Sequence, residues 1–429
     1  MTPTPSPSPI AVPVAVTGIG LFTPAGDGTA ATWERVLKAL PTCVVTRLPD
    51  PREGVGEETV SSYLSCPAPP FAAERLGTAR HRRLDRCVQF ALLAAVEAVR
   101  DAGIGVDPHT LAADWDADRT AVLAGTGAGC VTAYDAHHLK LRADGPAALS
   151  PFAVPSSLPN SIAAQVSIAL QARGPSTTVG SACAAGATAL GLAADLLRLG
   201  RCDTAVVVGT DALLTPFHLA GFDRIGALSH RLDDPAGAPR PFDADRDGFV
   251  AGEGAGVLVL ERAEHAAARG ARVRARLLGH GSASEAYNAV RPRDDGSGLT
   301  AAVRAALADA RLDPADIGYV NAHATGTPQG DEVEAAALAR LLPHRPPVSS
   351  TKGVTGHLFG AAGTVEAALT ALAVAEGTAP PTANLAHPSP GTTGLHLPTA
   401  PLRLGPVRAG LSVSAGFGGH NAALVLAPA

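Results

Sequence analysis

A cysteine set among very small residues is the feature of this chain best suited to chemistry. Cys183 stands in Thr177-Thr-Val-Gly-Ser-Ala-Cys-Ala-Ala-Gly-Ala-Thr-Ala-Leu190, where a strand gives way to an apolar helix. A thiol at a helix N-terminus meets partial positive charge and free N–H donors, which lower its pKa and hold a developing oxyanion. The plain alternative is a small buried cysteine, and Cys202, beside Asp203 and before a strand, reads that way. His323 lies in Asn321-Ala-His-Ala-Thr-Gly-Thr-Pro328, after a strand and before a turn of small and hydroxyl residues, either facing a cleft or bonded structurally. Thr325 and Thr327 suit either a polar cofactor arm or the capping of a helix that begins near Asp331. Lys352 and His357 flank a glycine turn in Ser349-Ser-Thr-Lys-Gly-Val-Thr-Gly-His357, and Glu366 follows on the next helix. A lysine amid so many small apolar residues needs a partner or a function. Ser349 and Lys352 also match the S-x-x-K spacing of serine acyltransferases, whose other motifs are missing. Phe417 sits centrally in the glycine-rich Leu411-Ser-Val-Ser-Ala-Gly-Phe-Gly-Gly-His-Asn421, as a gate or as a core plug, and His420 reads as structural.

These pieces need a scaffold that brings distant segments together. With 429 residues, 46% apolar and 17% charged, the chain is globular and long enough for two packed halves. A net charge of −5 gives no sign of a nucleic-acid partner. The six cysteines form no C-x-x-C pair and no zinc spacing, which suggests free thiols in a reducing cytoplasm and no metal. No leader and no long uncharged apolar run is evident, so a soluble cytoplasmic protein without a membrane partner is expected. The glycines of Val16-Thr-Gly-Ile-Gly-Leu-Phe-Thr23 suggest a dinucleotide loop, but Thr23 takes the place of the third glycine, which argues against a nucleotide cofactor.

Short β-rich runs alternate with Ala/Leu segments of helical period, which predicts an α/β fold with buried, largely parallel strands, better divided into two sheets than one. Strands are expected at 12–16, 120–124, 204–208, 257–260, 273–278, 317–320, 411–413 and 423–426. Helices are expected at 87–102, 184–198, 299–310, 331–342 and 361–376. A Pro/Thr/Ser-rich opening gives a disordered tail over 1–11, followed by halves at 12–265 and 266–429 divided in the charged stretch Glu261 to Arg272.

Taken together, Ser-Ala-Cys183, Asn-Ala-His323-Ala-Thr-Gly-Thr-Pro, Lys352-Gly-Val-Thr-Gly-His357, Arg240-Pro-Phe-Asp-Ala-Asp-Arg-Asp-Gly-Phe-Val-Ala-Gly-Glu-Gly-Ala-Gly256 and Gly416-Phe-Gly-Gly419 resemble the β-ketoacyl-acyl-carrier-protein synthases of the thiolase superfamily. The likeness runs from about Val12 to Leu426. It implies a five-layer α-β-α-β-α thiolase-like fold of two similar halves. It further implies that Cys183 takes an acyl group from the phosphopantetheine of an acyl carrier protein, with no cofactor bound covalently to the chain itself. His323 and His357 would then promote decarboxylation of malonyl-carrier protein and stabilise the enolate. On the same basis the N–H groups of Cys183 and Phe417 form an oxyanion hole, Lys352 supported by Glu366 orients the histidines, and Thr325 and Thr327 bond the pantetheine arm.

Departures from the family pattern bear on substrate and partner. Ala128 and Ala153 stand where fatty-acid-elongating relatives tend to carry bulky residues, which implies an enlarged acyl tunnel suited to a polyketide or specialised fatty acid. Ala147 and Ala148 replace an expected basic pair, leaving Arg82, Arg83 and Arg231 to dock an acidic carrier protein. The resemblance also implies a dimer, with a second copy or with a chain-length-factor homologue, through the region of Pro155 to Gln165. Rival readings are a degradative thiolase, which needs a second reactive cysteine near the C-terminus; a non-catalytic chain-length-factor-like subunit; and a housekeeping fatty-acid-elongating synthase.

Overall fold

The computed structural model describes residues 13–49 and 60–429, so the tail expected over 1–11 lies outside the described residues. Ten strands carry the architecture: β1 (Val14–Thr23), β2 (Thr120–Gly125), β3 (Ser176–Val179), β4 (Thr204–Asp211), β5 (Gly254–Arg262), β6 (Ala275–Ser284), β7 (Ile317–Asn321), β8 (Val348–Ser349), β9 (Ala409–Gly416) and β10 (His420–Pro428). They are hydrogen-bonded in the order β3-β2-β4-β5-β1-β6-β10-β9-β7-β8. Outward from β1 the pairings run antiparallel, antiparallel, parallel, parallel. Outward from β6 the same sequence of pairings repeats, so the chain is built from two similar halves.

Two expectations are corrected here. The halves do not form separate sheets, because the first residues of β1 offer a second hydrogen-bonding edge that takes β6, in the register Val14 to Leu277, Ala15 to Arg276 and Val16 to Ala275. Nor are the strands largely parallel: five of the nine pairings are antiparallel. The cause lies in the connections. A long excursion over 212–253 returns β5 against β4, and a tight Phe417-Gly-Gly turn folds β10 directly onto β9, where a parallel pair would need a crossover.

Helices complete five layers. On the outer face of the first half lie α1 (Arg86–Asp101) and α2 (Ser161–Leu170). Between the halves lie α3 (Ala185–Arg198) and α6 (Ala362–Glu376), touching each other and strands of both. Over the second half lies α4 (Ser297–Ala310), with α5 (Pro328–Leu341) against it. The small residues of α3 and α6 explain how this middle layer closes. A Cβ on Gly363 would stand 2.4 Å from the Ala187 nitrogen, and one on Gly186 2.7 Å from the Gly360 carbonyl oxygen, so only glycines permit this approach. The segments just before α3 and α6 thereby converge, and these carry Cys183 and His357. Gly18 and Gly20 serve a similar packing purpose: a Cβ on either would meet a carbonyl of α1, of Ala98 or Ala94, at 2.0 Å. Segment Phe359–Glu376, apolar and long enough to cross a membrane, is 89% buried in the core instead.

Candidate active site

Cys183 occupies a one-turn 3-10 segment, Ala182–Ala184, directly before α3. Ala182 holds φ 49°, a left-handed conformation costly for a residue with a Cβ, and this kink turns the thiol toward the second half. Its Sγ lies 3.0 Å from Nε2 of His357. The backbone at His357 is fixed on both sides, its N–H donating to Val250 O at 2.8 Å and its carbonyl accepting from Gly252 N at 2.9 Å. The rings of Phe249 and Phe359 flank the imidazole, with centroids at 5.4 Å and 4.9 Å.

His323 meets His357 edge to face, with centroids 5.3 Å apart. Glu334 on α5 holds it there, one carboxylate oxygen accepting from the His323 N–H and the other from the Ala324 N–H, each at 2.7 Å. Lys352 Nζ stands 3.4 Å from His323 Nδ1 and is ion-paired to Glu366, both side chains being buried. The partner that a buried lysine requires is therefore on the next helix. Ser349 turns away from Lys352 and bonds the Tyr319 hydroxyl at 2.8 Å, so no serine–lysine pair forms.

Burial dominates the electrostatics. It pushes the Cys183 thiol up to about 12, with Lys352 and a hydrogen bond from the Phe417 N–H opposing and the charge of Asp211 adding. Both imidazoles are held well below their ordinary range, by burial first and then by the charge of Lys352. Burial thus works against the lowering expected of a thiol at a helix N-terminus. The resting couple is a neutral thiol against a neutral imidazole.

One cavity of about 340 Å³ is lined by Cys183, His323, His357, Thr325, Thr327, Ala128 and Phe417. The Thr325 and Thr327 hydroxyls lie 3.3 Å apart, and Thr327 makes no capping bond to α5, so of the two uses open to it helix capping is not realised. The Arg240 to Gly256 motif serves this turn: the guanidinium of Arg246 donates to the carbonyls of Thr327 at 3.2 Å and Pro328 at 2.6 Å. Ala153 does not line the cavity and is buried on the short helix Ala153–Ser157, against helix Val131–Asp144. Arg82 and Arg83 are exposed on the turn His81–Arg83. Of their neighbours, Arg75 is paired to Asp27 and Arg86 to Glu253. Arg231 is partly buried and donates to Asp245 O at 3.1 Å.

Several residues at the site were not singled out from sequence. Asp211, at the end of β4, accepts from Thr126 Oγ1, Gly127 N and Gly360 N at 2.7 Å each and from Ala128 N at 3.3 Å. It ties the Ala128 wall to the segment behind His357, and a lone carboxylate closing an apolar strand was its only signal. Glu334, six residues beyond the quoted His323 motif, had been given no role. Phe222, Phe249 and Phe359 form the apolar wall, Phe222 stacking on Phe359 at 5.0 Å; in a chain only 4% aromatic, their placement was the available clue.

The beta-ketoacyl synthase N-terminal domain matches residues 11–266 and the beta-ketoacyl synthase C-terminal domain residues 274–386. The chain therefore belongs to the β-ketoacyl synthase family of acyl-transferring condensing enzymes. It is 37% identical over 415 residues to 3-oxoacyl-[acyl-carrier-protein] synthase 2 of Vibrio cholerae serotype O1, covering 96% of this chain and 97% of the relative. The protein of the same name in Staphylococcus aureus is 38% identical over 415 residues, with the same coverage. Among solved structures, a β-ketoacyl synthase from Burkholderia phymatum STM815 superposes with a TM-score of 0.86 at 31% identity, covering 97% of this chain and 99% of that one. The ishigamide ketosynthase/chain length factor gives 0.85 at 30%, over 98% and 100%. A type II PKS acyl-carrier protein in complex with its ketosynthase bound to the hexaketide gives 0.83 at 28%, over 98% and 100%.

Proposed function

We propose that this chain lengthens an acyl group held on Cys183 by decarboxylative condensation with malonyl-carrier protein, in a type II assembly that makes a polyketide or a specialised fatty acid. The observation that carries this reading is the placement of Sγ 3.0 Å from His357 Nε2, with the His323 ring against His357 in the same cavity.

Because the thiol rests protonated, attack and proton transfer run together. Sγ bonds to the carbonyl carbon of an acyl-carrier thioester while His357 Nε2 takes the thiol proton. The carbonyl oxygen, now anionic, is held by the N–H groups of Cys183 and Phe417. As the carrier sulfur leaves it takes the proton from His357, and the acyl group remains on Cys183. Lys352, donating toward Nδ1 of His323, keeps that ring in the tautomer with its proton on Nε2. Loss of CO2 from the malonyl group yields an enolate whose oxygen accepts from Nε2–H of His323 and, once His357 has taken up a proton from water, from Nε2–H of His357. The enolate carbon then attacks the Cys183 thioester, and Sγ departs and takes the Nε2 proton of His357, which returns that ring to its neutral, Nδ1-protonated form. Thr325 and Thr327 bond the pantetheine arm, and no metal is called on. Ala128 leaves length for the chain.

Acyl carrier protein is the partner, met by the exposed Arg82 and Arg83 with Arg231. A second subunit, a copy or a chain-length-factor homologue, covers the face where Phe152 and Val154 stand 72% and 69% exposed and where β3 has an open edge. A subunit seated there would bring its own groups to Ala153. We place the protein in the cytoplasm, with halves divided near 265. The test is reconstitution with acyl- and malonyl-carrier proteins, following CO2 and a β-ketoacyl-carrier product by mass spectrometry; absence of both across a panel of acyl chains contradicts the proposal.

A further inference from the structure

The acyl end of the cavity is apolar, formed by Ala128, Leu213, Phe222, Phe249 and Phe359, with one exception. His218 also lines it. This residue sits on the helix Pro216–Arg224, four positions before Phe222, so both point from one helix face into the cavity. Its ring is fixed: Nδ1 is 2.8 Å from the hydroxyl of Thr215, the residue that caps this helix, and Phe217 and Phe222 flank the imidazole with centroids at 5.1 Å and 6.3 Å. Nε2 has no hydrogen-bond partner among the described residues. Burial draws the imidazole below its ordinary range, against the charge of Asp135, so it is neutral in use.

A wall meant only for hydrocarbon gains nothing from an imidazole. Covering its free nitrogen with a methylene chain strips that nitrogen of water without replacement, whereas an oxygen on the chain replaces the lost bond. Building on the condensing-enzyme reading, we propose that His218 is a specificity residue, and that the preferred acyl group carries a keto or hydroxyl oxygen within its chain, bonded to Nε2. Either oxygen fits, since the Thr215 hydroxyl can donate to Nδ1 or accept from it, leaving Nε2 as donor or acceptor. The substrate class is then an oxygenated acyl chain of polyketide type, in preference to a plain saturated one.

The experiment measures acylation of Cys183 in the full chain by intact mass spectrometry. The probes are small-thiol acyl thioesters of equal chain length, one saturated and the others with a keto or hydroxyl group moved stepwise along the chain. The wild type should load one oxygen position roughly ten- to a hundred-fold faster than the saturated chain, the ratio expected for leaving one buried polar atom unpaired. His218→Leu should bring that ratio to about one, and His218→Gln, which keeps a hydrogen-bonding group, should restore part of it. If the leucine variant does not fold, a reduced ratio in His218→Gln is the supporting result and an unchanged one counts against the proposal. Equal loading of all probes by the wild type, or an undiminished ratio in His218→Leu, overturns the role of His218 and leaves the condensing-enzyme reading standing. Failure of every probe to acylate Cys183 overturns both.

Discussion

Replacing Ala128 by phenylalanine tests how the cavity sets chain length. Ala128 follows β2 in a loop whose Gly127 and Ala128 N–H groups are both bonded to Asp211, so the loop cannot easily retreat from an added side chain. A cavity of about 150 Å³ is known to hold a benzene ring, so a phenyl group there takes a volume of that order. The whole cavity is about 340 Å³, and more than a third of it would therefore be lost, all from the acyl end. Each methylene kept out of an apolar site forfeits about 0.8 kcal/mol. A chain two carbons beyond the new limit should then load about fifteen-fold more slowly than in the wild type. Acylation of Cys183 is measured with a ladder of thioesters differing by two carbons, and the products of full condensation are sized by mass spectrometry. Wild type and Ala128→Phe should diverge at a defined length and stay apart beyond it. Identical length profiles in a folded variant would refute the argument that the Ala128 wall bounds the acyl chain.

Further outcomes follow from the same geometry. His323→Ala should leave acyl loading intact and stop release of CO2 from malonyl-carrier protein, because His323 touches neither Sγ nor the loading step; loss of both activities speaks against the division of roles. Lys352→Met leaves Glu366 buried and unpaired and should cost about 3–5 kcal/mol in denaturant unfolding, with Lys352→Met/Glu366→Leu recovering part of that; a cost under about 1 kcal/mol denies the pair its structural weight. Charge reversal of Arg82 and Arg83 to glutamate should raise KM for carrier-bound substrates while sparing KM for small-thiol thioesters, and equal effects on both would remove these arginines from docking. Stability should also rise on mild acidification. Burial raises Glu334 to about 8, Glu366 to about 7, and Asp211 and Asp331 to about 6, so the folded chain binds protons that the unfolded chain does not. The melting temperature should climb as pH falls from about 8.5 to about 6.5 and then decline, as histidines freed by unfolding take protons that the depressed His323 and His357 refuse. A flat or falling melting temperature over the first interval contradicts this.

How far the sequence could be read depended on the range of the interaction. Cys183, His323 and His357 were visible because each sits in a run of small residues at the junction of a strand and a helix, and such junctions are local patterns. Helices α3 and α6 were visible for the same reason, their alanines and glycines marking close packing. Residues acting through one distant contact were not: the donors to Asp211 come from the run Thr126-Gly-Ala128 and from Gly360, and no spacing links either to Asp211. The join of β1 to β6 escaped notice because hydrophobic pattern reports burial and not which edge is free. The burial that pushes the Cys183 thiol up was not visible either, since a helix N-terminus is legible in sequence and the depth of a cavity is not. Helix Pro216–Arg224, which carries His218 and Phe222, went unassigned because its polar and apolar residues alternate with the shape of the cavity it lines rather than with a simple core stripe.

The central claim is that the Cys183 thiol becomes the acyl carrier of the reaction. Incubation of the full chain with acyl-carrier protein, followed by intact mass and peptide mapping, should find one acyl group on Cys183 in the wild type and none in Cys183→Ala. Acylation of the alanine variant to the wild-type extent, or mapping of the group to any other residue, would contradict it.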